Sequence, residues 1–430
     1  MKTPQRFRAI PRTAAMAMAV AASLVLAACG GGSSGSGKGG GDIKVGVIAA
    51  LTGIAAPYGV QSVNSFQMGV ADLNAAGGIN GRKVTVEVLD NRSKPEEVPA
   101  LMRRLVSGGA NVIVGASSSP VTVTAAQTAD QLKVPLIVPM EAADSIIGTG
   151  RKYVFKLAPS ILADNGWAAQ SVRAVMQGAQ KKGETPKTAM LIYASAGAYP
   201  DAEKAWTGTF QKEYPGVKVL DSISYDEATT TDFAPLVSQA KNANPDILLF
   251  GGNPQGVFLF YPALARSGWK PKATVGVLGG NTNAQFIPTV GAISDGDVAG
   301  NYWTSLLKSA DGAKHTPQSY SEDYKAKYNG QTPDGVGAYY YASVGVLADA
   351  LASASNPDDK ESITSALRSV DISGINGDKH GLWIISHGVK FDAKGTNERA
   401  TGLVTQIQGG KYVPVFPADA AASATVYPRP

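Results

Sequence analysis

The side chains that could carry out catalysis or bind a metal are few in this chain. There are three histidines, His315, His380 and His387; the last two each precede a glycine, with a predicted strand between them. That spacing matches no known set of metal ligands. All three are therefore predicted to be surface or loop histidines, and no metal site is expected.

An enzyme is one class of protein to consider, but the sequence offers no activated nucleophile. Residues 117–119 are three consecutive serines without an evident base, and no Gly-x-Ser-x-Gly elbow or phosphate loop occurs. The glycine pairs at 251–252 and 279–280 lack the full Gly-x-Gly-x-x-Gly pattern and are interpreted as turns at strand ends. The sequence predicts a protein that is not an enzyme and needs no cofactor.

The single cysteine, Cys29, ends a typical export leader. Residues 1–13 are basic without an acid, and residues 14–28 are apolar or small, which is the order of a signal peptide. Residues 26–29 read LAAC and resemble the bacterial lipobox, which is cleaved before the cysteine. The resemblance implies a leader over 1–28 and a lipidated Cys29; the alternative is an ordinary signal peptide with a chance cysteine.

A flexible tether follows the cysteine. Residues 30–41 read GGGSSGSGKGGG and contain no apolar side chain. A chain of this kind has an r.m.s. span of about 20 Å. Residues 29–41 are thus expected to hold an exported body at the outer face of the cytoplasmic membrane, or on its periplasmic side, through the lipid anchor.

The length and charge of the chain indicate how many domains the exported body has and which partners its charge argues against. A chain of 430 residues is longer than one hydrophobic core supports, so two domains are expected. Four of the 39 basic residues lie in the leader, which leaves 35 basic against 34 acidic residues. A nearly neutral body argues against a nucleic-acid partner.

Strands and helices alternate in two successive blocks. Apolar runs in the first block are at 43–48, 84–89, 111–115 and 135–139; those in the second are at 189–193, 217–223, 246–250 and 274–278. Helical patterns separate them, which predicts an α/β protein with parallel sheets. The last part of the chain has helices over 338–352 and 363–367 and strands over 403–408 and 412–416.

Several segments along this pattern resemble the leucine/isoleucine/valine-binding proteins of ABC importers. The most specific is residues 72–83, DLNAAGGINGRK; supporting segments, in the same order as in the family, are 51–53, 58–59, 134–137, 153–156, 231–233 and 391–395. The resemblance covers nearly all of residues 43–417. It implies the type I periplasmic-binding fold, in which two doubly wound parallel-sheet lobes are joined by a three-crossover hinge.

The resemblance also implies domains, partners and a mechanism. Lobe 1 would comprise 42–160 plus 300–382, lobe 2 would comprise 161–299 plus 383–417, and 418–430 would be a tail. The monomer would close its hinge around a small molecule and present it to ABC permease and ATPase subunits. A ligand-sensing receptor subunit of the same fold remains an alternative.

Three residues would contact the ligand by their match to the family. Tyr58 would cap the ligand side chain, Ser119 would hydrogen-bond the ligand carboxylate, and Tyr199 would close in from lobe 2. The family usually has glycine where Pro200 follows Tyr199 here. Without the resemblance, a turn serine and tyrosines packed at the surface are the simpler interpretation.

The departures from the family concern the amino group of the ligand. Members that bind α-amino acids hold the ammonium with a carbonyl, a threonine and an acid; the matching positions here are Met140, Ala142 and Leu278. Asn253 replaces a lobe 2 tyrosine, and Glu141 is expected to point away from the ligand. An unpaired buried ammonium is costly. The hypothesis is a ligand without an α-ammonium, a small carboxylate or amide with an apolar or aromatic body; a true branched-chain amino acid binder is the alternative.

Overall fold

Two β-sheets organise residues 41–430, the part of the chain that the computed structural model describes. The leader, Cys29 and residues 30–40 lie outside the described residues, so the structure does not test what the sequence predicts for them. No helix within residues 41–430 is both long and apolar enough to cross a membrane.

The strands and helices alternate through most of the chain. The strands are β1 Ile43–Ala49, β2 Val84–Asp90, β3 Val112–Gly115, β4 Leu136–Val138, β5 Val154–Lys156, β6 Thr188–Ala194, β7 Lys218–Val219, β8 Ile223–Tyr225, β9 Ile247–Gly251, β10 Ala273–Val277, β11 Val298–Asn301, β12 Asp371–Ile372, β13 Val389–Lys390, β14 Leu403–Gln408 and β15 Lys411–Phe416. The helices are α1 Ala56–Ala75, α2 Val98–Ser107, α3 Ser119–Leu132, α4 Trp167–Lys181, α5 Tyr199–Glu213, α6 Ala234–Ala243, α7 Pro254–Ser267, α8 Gly279–Thr282, α9 Phe286–Val290, α10 Pro317–Lys327, α11 Gly335–Ser353 and α12 Lys360–Arg368.

The first sheet is entirely parallel, with the strand order β2-β1-β3-β4-β5. Successive side chains of β1 point to opposite faces: Val47 packs into one apolar cluster with Phe66 of α1, and Ile48 packs into another with Ala125 of α3. Helices therefore cover both faces of this sheet. That is the doubly wound arrangement predicted from the alternating pattern.

The second sheet adds an antiparallel edge to the same pattern. Its order is β15-β14-β11-β10-β9-β6-β7, and β8 also pairs with β6. The strands from β6 to β11 pair in parallel, whereas β14 and β15 run antiparallel. The single strand predicted over 217–223 is wrong in extent. The chain leaves the sheet at 220–222, between two short pairings with β6.

The helices after β11 return to the first sheet. Helix α11 is buried on all sides, as expected of a helix that is apolar all round, and it packs closely on α1. A Cβ added to Gly69 of α1 would lie 2.9 Å from Cγ2 of Val344. Strands β12 and β13 pair with each other, and the lobe boundary expected at 382/383 lies in the segment of chain between them.

Three crossovers join the two sheets. They lie between β5 and α4, between β11 and α10, and between β13 and β14. Asn397 links the first crossover to the third: its backbone N–H donates to the carbonyl of Lys156 at 3.1 Å, and its Nδ2 donates to that of Leu157 at 2.9 Å. The three-crossover fold that the sequence predicts is confirmed.

Candidate functional site

The seven residues predicted to contact a ligand all follow the carboxyl end of a strand. They are Tyr58 in the first turn of α1, Ser119 at the start of α3, Met140 and Ala142 after β4, Tyr199 at the start of α5, and Asn253 and Leu278 at the caps of α7 and α8. In open α/β sheets, ligands bind at this edge. The first four belong to the first sheet and the last three to the second.

The beginning of α3 is suited to an anion. Ser118, its N-cap residue, is extended and its side chain accepts no cap hydrogen bond, so it leaves the first amides of the helix uncapped. Ser119 is half-buried there, and the buried Oγ of Ser117 has no hydrogen-bond partner among residues 41–430. Helix N-terminal N–H groups and hydroxyls together can hold a carboxylate.

Glu141 is a buried carboxylate that is bound within the lobe of the first sheet. Its Oε1 accepts the backbone N–H of Ser117 at 2.7 Å and the hydroxyl of Tyr340 at 3.3 Å. Burial raises the pKa of Glu141, and these hydrogen bonds act in the opposite direction. The Glu141 carboxylate thus links the backbone at Ser117 to Tyr340 of α11.

The second sheet contributes a chain of hydrogen bonds that ends at Tyr199. The Tyr199 hydroxyl donates to Oδ1 of Asn253 at 3.0 Å, and the backbone N–H of Asn253 donates to Oε1 of Glu227 at 2.5 Å. Nδ2 of Asn253 also donates to Glu227, and the hydroxyl of Tyr225 lies 3.4 Å from Oε1 of that carboxylate. Glu227 thus orients the amide whose oxygen accepts the hydrogen bond from Tyr199.

Sequence reasoning missed Glu227. The signal that could have found it is its position just after β8, at the same edge as the other candidates. The strand predicted over 217–223 ends two residues before β8 does, so Tyr225 and Glu227 fall beyond the predicted strand end.

Tyr58 closes the space between the two lobes. A Cβ added to Gly279, after β10, would lie 2.6 Å from Oη of Tyr58. Burial raises the pKa of Tyr58, and the neighbouring Tyr302, Asp334 and Glu227 raise it further. The first lobe's tyrosine therefore lies against the turn between β10 and α8, near acids from both lobes.

Tyr302 is a second residue that the sequence did not indicate. It follows β11, is buried, and packs edge-on against Trp167 with 4.6 Å between ring centroids. Burial raises its pKa, and the charges of Glu141 and Asp334 add to the effect. The charge of Tyr302 also raises the pKa of Tyr58.

The positions matched to an ammonium clamp carry no side-chain acceptor. Ala142 and Leu278 are buried and apolar, and Met140 is buried in the apolar core. The backbone of Leu278 has φ of +64° and is fixed by its carbonyl, which accepts the Thr282 hydroxyl at 2.8 Å. A left-handed non-glycine residue is strained, and such strain clusters at functional sites.

A separate cavity of about 540 Å³ lies on the side of the second crossover. It is bounded by α8 and α9, by Asn301 and residues 303–306, by α10, by the start of α11 and by the turn between β14 and β15. None of the seven predicted residues lines it. We refer to it as the crossover cavity.

The histidines depart in part from the prediction. His315 and His380 are partly exposed, but His387 is buried, and the strand expected between His380 and His387 is absent because residues 382–388 are irregular. The ring of His387 packs against that of Trp383 at an angle of 60° and hydrogen-bonds the Tyr339 hydroxyl, which accounts for its burial. No group of three or more potential metal ligands is placed together within residues 41–430.

A two-lobed α/β body with candidate residues at the facing strand ends defines a solute-binding protein of the periplasmic type. The chain matches the periplasmic binding protein family model over residues 42–389, and it belongs to that family. This family binds solutes outside the cytoplasm and is not an enzyme family.

Individual relatives agree with this assignment. Leu/Ile/Val-binding protein homolog 8 of Brucella abortus (strain 2308) is 29% identical over 396 residues, covering 88% of this chain and 92% of the relative. The substrate binding protein LivJ of Streptococcus pneumoniae, solved in complex with isoleucine, has a TM-score of 0.70 at 22% identity, covering 90% of this chain and 100% of that chain.

A third similar protein has a different ligand. It is a solute binding protein of an ABC transporter from Rhodopseudomonas palustris BisB5, solved in complex with 3,4-dihydroxybenzoic acid. Its TM-score is 0.70 at 20% identity, covering 90% of this chain and 98% of that chain. At such identities the likeness establishes the fold alone.

Proposed function

We propose that this chain is the extracytoplasmic solute-binding lipoprotein of a branched-chain-amino-acid-type ABC importer. It captures a small molecule between its lobes and delivers it to the permease. The observation that carries the proposal is the uncapped start of α3, with Ser119, on the first lobe, and the oriented Tyr199 on the second. An anchor on one lobe and a closing group on the other are what hinge closure around a ligand requires.

The ligand is a small carboxylate or amide with an apolar or aromatic body and no α-ammonium. The start of α3 favours the anionic end, and Tyr58 offers an aromatic face to the body. Ala142 and Leu278 leave an ammonium without partners where the family would bind it. The R. palustris protein gives a precedent, because 3,4-dihydroxybenzoic acid has no amino group.

A thermal-shift screen tests this proposal. It compares leucine, isoleucine and valine with aromatic and short aliphatic carboxylates and amides. A ligand at about 100 times its Kd adds about 2.7 kcal/mol to the free energy of unfolding, which raises the melting temperature measurably. We expect a shift with compounds that lack the amine, and a weaker one in Ser119→Ala, which loses the anchoring hydroxyl.

A branched-chain amino acid is the second candidate ligand, and one observation favours it. Glu227 brings a carboxylate close to Tyr199 through Asn253, and it could balance an ammonium from the second lobe. LivJ of S. pneumoniae was solved with isoleucine. A shift with leucine or valine that Glu227→Gln abolishes would replace our ligand class with this one.

The lipid anchor has its own test. We expect the intact chain made in a bacterial host to partition with membranes and to carry acyl groups on Cys29. Cys29→Ser should release the protein into the soluble exported fraction with its melting temperature unchanged, because the predicted tether over residues 30–41 separates residue 29 from the body. Membrane association that survives the substitution would refute anchoring through Cys29.

A further inference from the structure

We propose that the crossover cavity is a second ligand site, which takes a small organic amine that also carries an oxygen acceptor. The cavity lies between elements of both lobes and shares none of the seven residues predicted for the cleft. The proposal does not rest on the ligand class proposed for that cleft.

Asp334 gives the cavity its preference for a cation. It lines the cavity and is 6% exposed. Its Oδ1 accepts the N–H groups of Val336 at 3.0 Å and Gly337 at 3.3 Å, and a hydrogen bond from the backbone amide of Ala284 also stabilises the ionised carboxylate. No lysine, arginine or histidine among residues 41–430 forms an ion pair with Asp334.

A buried carboxylate without a counter-ion is unfavourable. The start of α11 offsets part of this cost, because helix N-termini favour negative charge. Burial nevertheless raises the pKa of Asp334 to about 6, so at neutral pH the group is ionised in a poorly solvated position. A ligand ammonium that reaches the cavity would supply the missing charge and a charge-assisted hydrogen bond.

Trp303 gives the cavity a donor for an oxygen of the ligand. It lines the cavity, it is 4% exposed, and its Nε1 has no hydrogen-bond partner within residues 41–430. A buried indole N–H usually has a partner. Thr282 and Leu306 add a hydroxyl and an apolar wall, and three exposed charged residues also line the cavity, Glu322, Lys325 and Lys411.

Two residues that line the cavity, Trp303 and Asp334, are also neighbours of residues in the cleft. Trp303 follows Tyr302 directly, and Asp334 raises the pKa of both Tyr58 and Tyr302. The amide of Ala284, in the second lobe, lowers the pKa of Asp334, so the carboxylate lies close to both lobes. An amine here would bind across the lobe junction and bias its opening.

The test compares 3-amino-1,2-propanediol with glycerol, its neutral counterpart, by thermal shift in phosphate buffer at constant ionic strength. We expect a saturable rise in melting temperature with the amine beyond any effect of glycerol. Asp334→Asn should raise the apparent Kd by about tenfold or more, the loss of one charge-assisted hydrogen bond. Asparagine caps a helix as well as aspartate, so this variant should fold.

Two further variants complete the design. Trp303→Phe keeps the edge-on contact with Tyr320, at 5.5 Å between centroids, and should weaken only the amine response. Ser119→Ala changes the cleft and should leave the amine response intact. Equal shifts with amine and glycerol, an Asp334→Asn variant that responds like the parent protein, or loss of the response in Ser119→Ala would each overturn the second site.

Discussion

At the scale of the residue, His387 illustrates how a buried polar group is satisfied in one protonation state only. Its Nδ1–H donates to the carbonyl of Gly388 at 2.8 Å, and its Nε2 accepts the hydroxyl of Tyr339 at 2.7 Å. Both ring nitrogens are used by the neutral imidazole. Protonation would bury a charge and turn Nε2 into a donor, so burial lowers the pKa of His387 to about 4.

This state predicts a loss of stability in acid. The folded-state pKa lies below the unfolded value of about 6.5, so the unfolded chain binds the proton first and stability falls as the pH drops from about 6.5 towards 4. The full effect is about 3 kcal/mol. Urea unfolding at several pH values gives the free energy of unfolding of the parent protein and of His387→Gln. The difference between the two isolates the contribution of His387, because the other titrating groups contribute equally to both proteins.

We expect the stability difference between the two proteins to favour the parent at pH 7 and to shrink as the pH approaches 4.5. A difference that is constant across this range would show that His387 does not stay neutral when buried.

The positions of candidate residues could be predicted from sequence, but their partners could not. Tyr58 and Tyr199 do lie in the first turns of helices that follow strands, because the strand pattern and the family segments fix that edge. The burial of His387 depends on Tyr339, 48 residues away, and a histidine before a glycine looks like a loop residue in sequence. Glu227 was missed for a related reason, since its strand pairs only briefly with β6.

At the scale of the element, apolar runs with clear periods were predictable and short or polar elements were not. Strand β9 is a continuous apolar run, β1 is apolar except for Lys44, and α11 is mostly apolar. Strands β5 and β11 have three and four residues, too few to show a period. Helix α10, PQSYSEDYKAK, has little apolar surface and depends on its capping box and on packing by Tyr320 and Tyr324.

The last residues of the chain form an ordered clamp where sequence reasoning expected only a tail. The backbone of Val426 pairs with the side chain of Gln406, and Tyr427 is buried. Nη1 of Arg429 lies 2.8 Å from Oδ1 of Asp297, with the two side chains 3% and 0% exposed. This is a buried ion pair that fastens the end of the chain beside β11.

Breaking the pair should destabilise the protein strongly. Arg429→Met leaves Asp297 buried without its partner, which costs about 3–5 kcal/mol. Lys212→Met is the matched control, because its pair with Asp164 is 64% and 79% exposed and contributes about 1 kcal/mol or less. We expect a much lower denaturant midpoint for Arg429→Met than for Lys212→Met. If the two variants are equally stable, the ion pair between Arg429 and Asp297 is not formed.

At the scale of the whole molecule, the lobes are joined firmly on one side and meet through side chains on the other. Asn397 and the buried Lys156 tie the first crossover down; Nζ of Lys156 donates to the carbonyls of Ala158 at 3.1 Å and Pro159 at 2.9 Å. Across the cleft, by contrast, Tyr58 rests against Gly279 with no room for a side chain. Motion about the crossovers therefore changes the Tyr58–Gly279 contact most directly.

That contact predicts how closure can be blocked. In Gly279→Ala the new Cβ would lie 2.6 Å from Oη and 2.9 Å from ring carbons of Tyr58, so the lobes cannot approach as closely while the tyrosine keeps its place. Ligand identified by the screen should bind at least about tenfold more weakly, a loss of about 1.4 kcal/mol. Small-angle scattering should show less contraction with ligand than in the parent protein.

Removing the tyrosine side chain should relieve the block. Tyr58→Ala alone loses contact with the ligand and also weakens binding, whereas adding Gly279→Ala to it should cost almost nothing further, because the colliding ring is gone. This non-additivity is the signature of direct contact between the two positions. If Gly279→Ala costs the same with and without Tyr58, the two lobes do not meet at this point when ligand binds, and closure must follow a different path about the three crossovers.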